Sequence, residues 1–158
     1  MVGIAWQGSR DYTCDHLRSI PLECFAPLNK VPDIHLISLQ KEAGTEQLSA
    51  LPKDLHVVNL DDRLDVSAGP FMDTAALMCN LDLVIACDSA IGHLAGALGA
   101  PVWLALSSSA DWRWLRDRED SPWYPTIRLF RQREPGNWLE VFERMAEALR
   151  QGPPRHRA

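Results

Sequence analysis

No stretch of this chain approaches the roughly 18 consecutive apolar residues that a membrane-spanning helix needs. Its first residues, Met1-Val2-Gly3-Ile4, run straight into a β-type segment without the charged start and apolar core of a secretory leader. A soluble, cytoplasmic protein with no membrane span is expected. Cysteine is scarce. Cys14, Cys24, Cys79 and Cys87 show neither a CxxC pair nor Cys/His ligand spacing, which favours reduced thiols over a disulfide frame or a metal site. Positive charge is not gathered anywhere: 16 Lys and Arg are interleaved with 21 Asp and Glu, for a net charge of −5. That balance provides no electrostatic footprint for nucleic acid.

What is present suits one well-filled core, because 158 residues with 46% hydrophobic content are too few for two ordinary domains. Short β-rich apolar runs alternate with helix-period segments, the pattern of a parallel sheet covered by helices. Strands are expected at Val2 to Trp6, Ile34 to Leu39, His56 to Leu60, Leu83 to Cys87, Val102 to Leu106 and Ile127 to Phe130. Helices are expected around Leu22 to Leu28, Thr45 to Leu51, Phe71 to Cys79 and Ser89 to Leu98. A last helix carries an apolar stripe of Trp138, Val141, Phe142, Met145 and Leu149, with Asn137 as cap and Gly152-Pro153-Pro154 as stop. The fold class is therefore α/β, a Rossmann-like three-layer α/β/α domain with a parallel sheet of about six strands. It should span residues 1–151, with a disordered basic tail over 152–158. The first strand begins at residue 2 with no lead-in, whereas a free-standing domain usually has some.

Repeated βα units bind ligands at the carboxyl ends of their strands, so the residues just past each strand are the candidates for chemistry. After the fourth strand comes Asp88-Ser89-Ala90-Ile91-Gly92-His93. Asp88 and Ser89 are both N-cap types, an apolar stripe of Ile91, Leu94, Ala95 and Leu98 follows, and Gly99 with Pro101 ends the helix. Free N–H groups and the positive end of the dipole make such a start a phosphate site, with the small residues Ser89, Ala90 and Gly92 admitting a phosphate to the backbone. The alternative is a mere cap at Asp88 and a packed helix residue at His93.

Residues 71–106, FMDTAALMCNLDLVIACDSAIGHLAGALGAPVWLAL, resemble the donor-domain signature of the ADP-heptose:lipopolysaccharide heptosyltransferases. That signature is an Asp-Ser/Thr-Gly/Ala-x-x-His-Leu/Ile-Ala segment leading into a helix that ends at Leu-Gly-x-Pro-Val. The chain also resembles glycosyltransferase-like domains that follow tetratricopeptide repeats in bacterial proteins, through VGIAWQG (2–8), RSIPL (18–22), ISLQK (37–41), DWRWL (111–115), DSPWYPT (120–126) and RLFRQ (128–132). The resemblance covers roughly residues 2 to 150. It implies the second, donor-binding half of a two-domain GT-B glycosyltransferase that uses a nucleotide-diphosphate sugar and needs neither a metal ion nor another cofactor. Asp88, Ser89, Ala90 and His93 would then lie at the diphosphate and sugar, and Lys41 would stabilise the leaving diphosphate. Gln7 resembles a phosphate-side glutamine of the more distant O-GlcNAc transferases.

Each of these residues has a plainer alternative. Lys41 follows a strand, where its ammonium could reach an anionic ligand or simply be solvated. Gln7 could donate to a phosphate or fill hydrogen bonds of its loop. Arg18 could touch the donor phosphates or cap the next helix at the surface. Phe71 to Thr74 could line a base pocket with Asp73 on the ribose, or Asp73 could serve only the helix dipole. Trp112, Trp114, Trp123 and Tyr124 could stack on a base or sugar, or pack a long loop onto the core or onto a missing domain. The acidic clusters Asp61-Asp62-Arg63-Leu64-Asp65 and Asp117-Arg118-Glu119-Asp120 are expected to be solvated loop charge rather than metal ligands.

The chain departs from the family pattern at Asp15-His16-Leu17-Arg18, at Ser107-Ser108-Ser109-Ala110 and at Ala90, which replaces the heptosyltransferases' Gly. The general base of an inverting transfer sits on the first domain in this family. An acceptor-binding domain or tetratricopeptide region is thus an expected partner, and the isolated chain should bind a nucleotide and transfer nothing. The competing expectation is an inactive nucleotide-binding or protein-interaction module derived from such a domain.

Overall fold

The computed structural model describes residues 1–60 and 63–152. A single six-stranded sheet runs in the order β3-β2-β1-β4-β5-β6, and every pairing in it is parallel. Its strands are β1 (Val2–Ala5), β2 (Leu36–Ser38), β3 (Val57–Val58), β4 (Leu83–Cys87), β5 (Val102–Leu106) and β6 (Ile127–Arg131). The helices are α1 (Asp15–Arg18), α2 (Ala26–Asn29), α3 (Met72–Met78), α4 (Ala90–Ala97) and α5 (Trp138–Arg150), with 3₁₀ turns at Leu22–Phe25, Thr45–Ala50 and Trp112–Trp114.

The central strands are unbroken apolar runs because both of their faces are covered. All five residues of β4, Leu-Val-Ile-Ala-Cys, are buried, as are all five of β5. Their side chains alternate between two cores. Leu83, Ile85 and Trp103 face one that contains Phe25, Leu28, Val141 and Phe142. Val84, Ala86, Leu104 and Leu106 face the other, with Met78, Ala95 and Trp114. These are the three layers that the alternation of apolar runs predicts. In α5 the apolar stripe is buried and Asn137 Oδ1 accepts from Glu140 N at 3.3 Å, closing the N-terminus as its residue type suggests. Phe25 lies 4.1 Å from Phe142, ring centre to ring centre, fastening the first 3₁₀ turn to α5.

The differences from the sequence reading have local causes. The helix expected over Leu22 to Leu28 is a 3₁₀ turn followed by α2, because Pro27 has no N–H to continue an α-helical ladder from Leu22. Thr45–Ala50 is 3₁₀ and buries none of its residues. β3 has two residues because it is an edge strand, with Val58 exposed and only Leu36 and Ile37 as partners. Residues 153–158 of the expected tail lie outside the described residues, as do Asp61 and Asp62. Among the described residues no helix is long and apolar enough to cross a membrane.

Candidate functional site

The chain runs outward from β1 in both directions, to β2 and β3 on one side and to β4, β5 and β6 on the other. The gap between β1 and β4, where the strand order reverses, is therefore the place for a ligand crevice. A cleft of about 690 Å³ opens at the carboxyl ends of β1, β2 and β4. One wall is the start of α4, with Ser89, Ala90 and Ile91; the others come from the loops after β1 and β2 and from the approach to α3.

Ser89 is the N-cap of α4 but does not act as one, since its side chain makes no cap hydrogen bond. Its Oγ is buried without any hydrogen-bond partner. The first bond across the helix start is donated by Gly92 N to Ser89 O at 3.1 Å, so the N–H groups of Ala90 and Ile91 precede the helical ladder. The neighbouring Cys87 thiol is pushed up to about 12 by burial, against the pull of the Ser89 hydroxyl and Arg18. It is an inert core group.

Arg18 faces the cleft rather than bulk solvent, which corrects the reading of it as a surface cap. Its Nε donates to Asp15 Oδ1 at 3.1 Å, one terminal nitrogen donates to Asp88 O at 3.0 Å, and the guanidinium lies 4.2 Å from the centre of the Tyr12 ring. Gly8 makes room for it: a Cβ at that position would stand 2.5 Å from the other terminal nitrogen. Lys41 also borders the cleft, with Nζ donating to Leu64 O at 2.9 Å.

Gln7 lines the same cleft, and what holds it there is Gln40, which the sequence reading assigned no role. The side chain of Gln40 is buried and accepts from Trp6 N and Gln7 N, each at 3.0 Å. It donates to Gln7 O at 3.0 Å and Ala43 O at 2.8 Å. One amide thereby fixes the loops after β1 and β2 to each other.

On the α3 side, Phe71 enters the cleft wall with a left-handed backbone, φ 66°, and an exposed ring. Asp73 does not line the cleft. Its Oδ2 accepts from Asp65 N at 2.8 Å, while Asp65 Oδ1 accepts from Asp73 N at 2.7 Å and Thr74 N at 3.1 Å. This reciprocal box caps α3. It also corrects the reading of Asp65 as solvated loop charge. Burial pushes the Asp65 carboxyl up, but hydrogen bonds from Thr74, Asp73 and Phe71 outweigh that and hold it below the usual carboxylate range.

Asp88, Gly92 and His93 do not line this cleft. Gly92 is buried, and a Cβ there would stand 2.6 Å from Leu104 Cδ1. Its smallness lets α4 lie on the sheet, where the sequence reading had it admit a phosphate. Asp88 and His93 lie on the β5 side of the helix start. Burial raises the Asp88 carboxyl above its usual range. The Trp114 indole N–H beside the carboxyl opposes that, and His93 and Arg18 oppose it by charge. His93 Nε2 is 3.9 Å from Asp88 Oδ1, and the His93 ring stacks on buried Trp114 at 5.1 Å. Of the aromatic segment, Trp114 belongs to the core and Tyr124 packs against it, whereas Trp112 and Trp123 are exposed. Among the described residues no group of three or more His, Cys, Asp or Glu is arranged to hold a metal ion. A second groove of about 550 Å³ lies near the amino ends of β2 and β3, between Ile34, His35, Pro52 and His56, away from all of these groups.

Comparison with known proteins matches the family model described as glycosyltransferase family 9 (heptosyltransferase) to residues 28–114. Protein FlbA of Caulobacter vibrioides is 31% identical over 151 residues, a match that covers 94% of this chain and 25% of FlbA. Among solved structures, ADP-heptose lps heptosyltransferase II of E. coli superposes with a TM-score of 0.61 at 16% identity, over 96% of this chain and 47% of that one. The chain therefore spans a quarter of the length of the one and about half of the other.

Proposed function

The chain belongs to glycosyltransferase family 9, the heptosyltransferase family, and from that premise we propose that its cleft holds the donor of a glycosyl transfer, a nucleotide-diphosphate sugar. The observation that carries this reading is the Ser89 hydroxyl, buried without a partner in a cleft wall that is also a helix start. With only the weakly polar Cys87 thiol beside it, such a hydroxyl recovers little for its burial, a cost that a phosphate oxygen would remove by accepting from it. The N–H groups of Ala90 and Ile91 would bind the same diphosphate, aided by the helix dipole.

Arg18 and Lys41 supply positive charge at the rim of this wall. When the bond between the sugar carbon and the diphosphate breaks, negative charge grows on the departing oxygens, and cations already in place stabilise it. These groups are our reason for proposing a transfer that needs no metal ion. Gln7, held by Gln40, donates to the phosphates from the β1 side, and Phe71 offers its ring to the base. Asp88 and His93 are assigned to the sugar, on the β5 side of the helix start. The base that takes the acceptor's proton is assigned to an acceptor-binding domain outside this chain.

The test is thermal denaturation of the chain with ADP, UDP and GDP. A ligand at 100 times its Kd stabilises by about 2.7 kcal/mol, which raises Tm by about 5–10 °C for a chain of this size. Lys41→Ala should abolish the rise. Absence of a rise with all three nucleotides at millimolar concentration would contradict the donor-site reading.

A further inference from the structure

We infer that Tyr124 is a positioning residue that fixes the tautomer and orientation of His93, presenting the Nε2–H edge of that ring toward Asp88 and the start of α4. The inference rests on the donor-site reading for its functional meaning and on geometry for its content. His93 lies in the first turn of α4 with one face stacked on Trp114, centroids 5.1 Å apart and planes 26° apart. Tyr124 meets the same ring edge-on at 5.7 Å and 62°, and its hydroxyl lies 3.1 Å from Nδ1. The ring is thus held by contacts from two different loops.

The hydroxyl decides which nitrogen carries the proton. If Tyr124 donates to Nδ1, the proton of a neutral His93 sits on Nε2, which faces the Asp88 carboxylate at 3.9 Å. If Tyr124 accepted from Nδ1–H instead, an Nε2 lone pair would face that carboxylate, a repulsive arrangement. Asp111 lies near enough to His93 to be influenced by its charge and adds to the negative field. The pairing therefore favours the Nε2–H tautomer. At 3.9 Å the Nε2 to Asp88 separation is longer than a hydrogen bond. The N–H edge is left as a donor for a hydroxyl or anionic oxygen of a ligand entering at the helix start.

Tyr124 is itself held firmly. Its ring lies on α4 at Gly96, where a Cβ would stand 2.8 Å from Tyr124 Cγ, and it packs against the Leu104 and Trp114 side of the core. This explains why a tyrosine on a long loop can act as a fixed partner: the helix it serves also supports it.

The experiment is ¹⁵N NMR of the His93 ring in the ligand-free chain, wild type and Tyr124→Phe, recorded at a pH where the imidazole is neutral. Wild type should show the Nε2–H tautomer, and Tyr124→Phe should shift the population toward a mixture while Tm stays within a few degrees. A predominant Nδ1–H tautomer in wild type, or an unchanged tautomer in Tyr124→Phe, would overturn the inference. As a second readout, Tyr124→Phe should weaken binding of ADP-glucose or UDP-glucose about fivefold, the size of one hydrogen bond, and should have no further effect in a His93→Asn background. An equal loss in that background would mean that Tyr124 acts on structure alone and would also overturn it. If neither nucleotide sugar binds wild type, the ring spectra alone decide the role of Tyr124, and the donor-site reading is decided by the thermal screen with ADP, UDP and GDP.

Discussion

Replacing Ser89 with alanine should raise stability and lower affinity at once. The hydroxyl of Ser89 is buried without a partner, and its residue is only 8% exposed. A buried hydroxyl left unsatisfied costs roughly 1–3 kcal/mol, and Ser89→Ala removes it without opening a cavity larger than one oxygen atom. Alanine is also the better residue within a helix, but at an N-cap it is worse by about 1 kcal/mol when the serine actually caps. Here the side chain makes no cap bond, so that loss does not arise. The net expectation is a gain of about 1 kcal/mol, or about 2–4 °C in Tm. Binding should move the other way. A hydroxyl that donates to a phosphate contributes about 1.5–3 kcal/mol, so the Kd for a nucleoside diphosphate should rise about 10- to 150-fold. Scanning calorimetry and isothermal titration on the same two proteins give both numbers. A fall in Tm together with unchanged affinity would show that the hydroxyl serves the fold, and would refute the reasoning.

Other perturbations have equally definite signs. Asp65 is held below its usual pKa by the hydrogen bonds of the α3 cap, so its contribution to stability is present above the unfolded value near 3.8 and is lost as pH falls through the folded value. Asp65→Ala should cost about 1–2 kcal/mol at neutral pH and should flatten the acid limb of a Tm-versus-pH curve. Asp88 is shifted in the opposite direction. Its protonated form is favoured on folding, so its ionisation destabilises the fold as pH rises through the window above the unfolded value, and Asp88→Asn should raise Tm at neutral pH while weakening nucleotide-sugar binding. Phe142 is fully buried against Phe25. Phe142→Ala should cost about 3–5 kcal/mol in chemical denaturation by separating α5 from the sheet.

The sheet was legible where residues are buried on both faces. β4 and β5 are continuous apolar runs, and their observed limits are those expected from the sequence. The edge strand β3 was not, because an edge needs few apolar residues and its length depends on the two residues of β2 it meets. At the site, the helix start at Ser89 could be read because capping types and helix periodicity are local signals. Gln40 could not, since its function is to satisfy the backbone of a loop 33 and 34 positions away. The direction of Arg18 is set by the carbonyl of Asp88, 70 positions away, and by the space above Gly8. Gly92 was misread for a related reason. A small residue at a helix start serves a ligand or a neighbouring strand, and only the contact with Leu104 tells which. Asp73 and Asp65 form a cap that spans eight positions of loop, so neither residue alone announces it.

The central claim is that a nucleoside diphosphate binds at the junction of β1, β2 and the start of α4, and amide NMR tests it by location. Titration of the ¹⁵N-labelled chain with ADP, UDP and GDP should shift the backbone amides of Ala90, Ile91, Gln7 and Lys41 for at least one of the three, saturably and less strongly at high salt. Perturbations confined to the groove between His35 and His56, or none at millimolar nucleotide, would contradict the account.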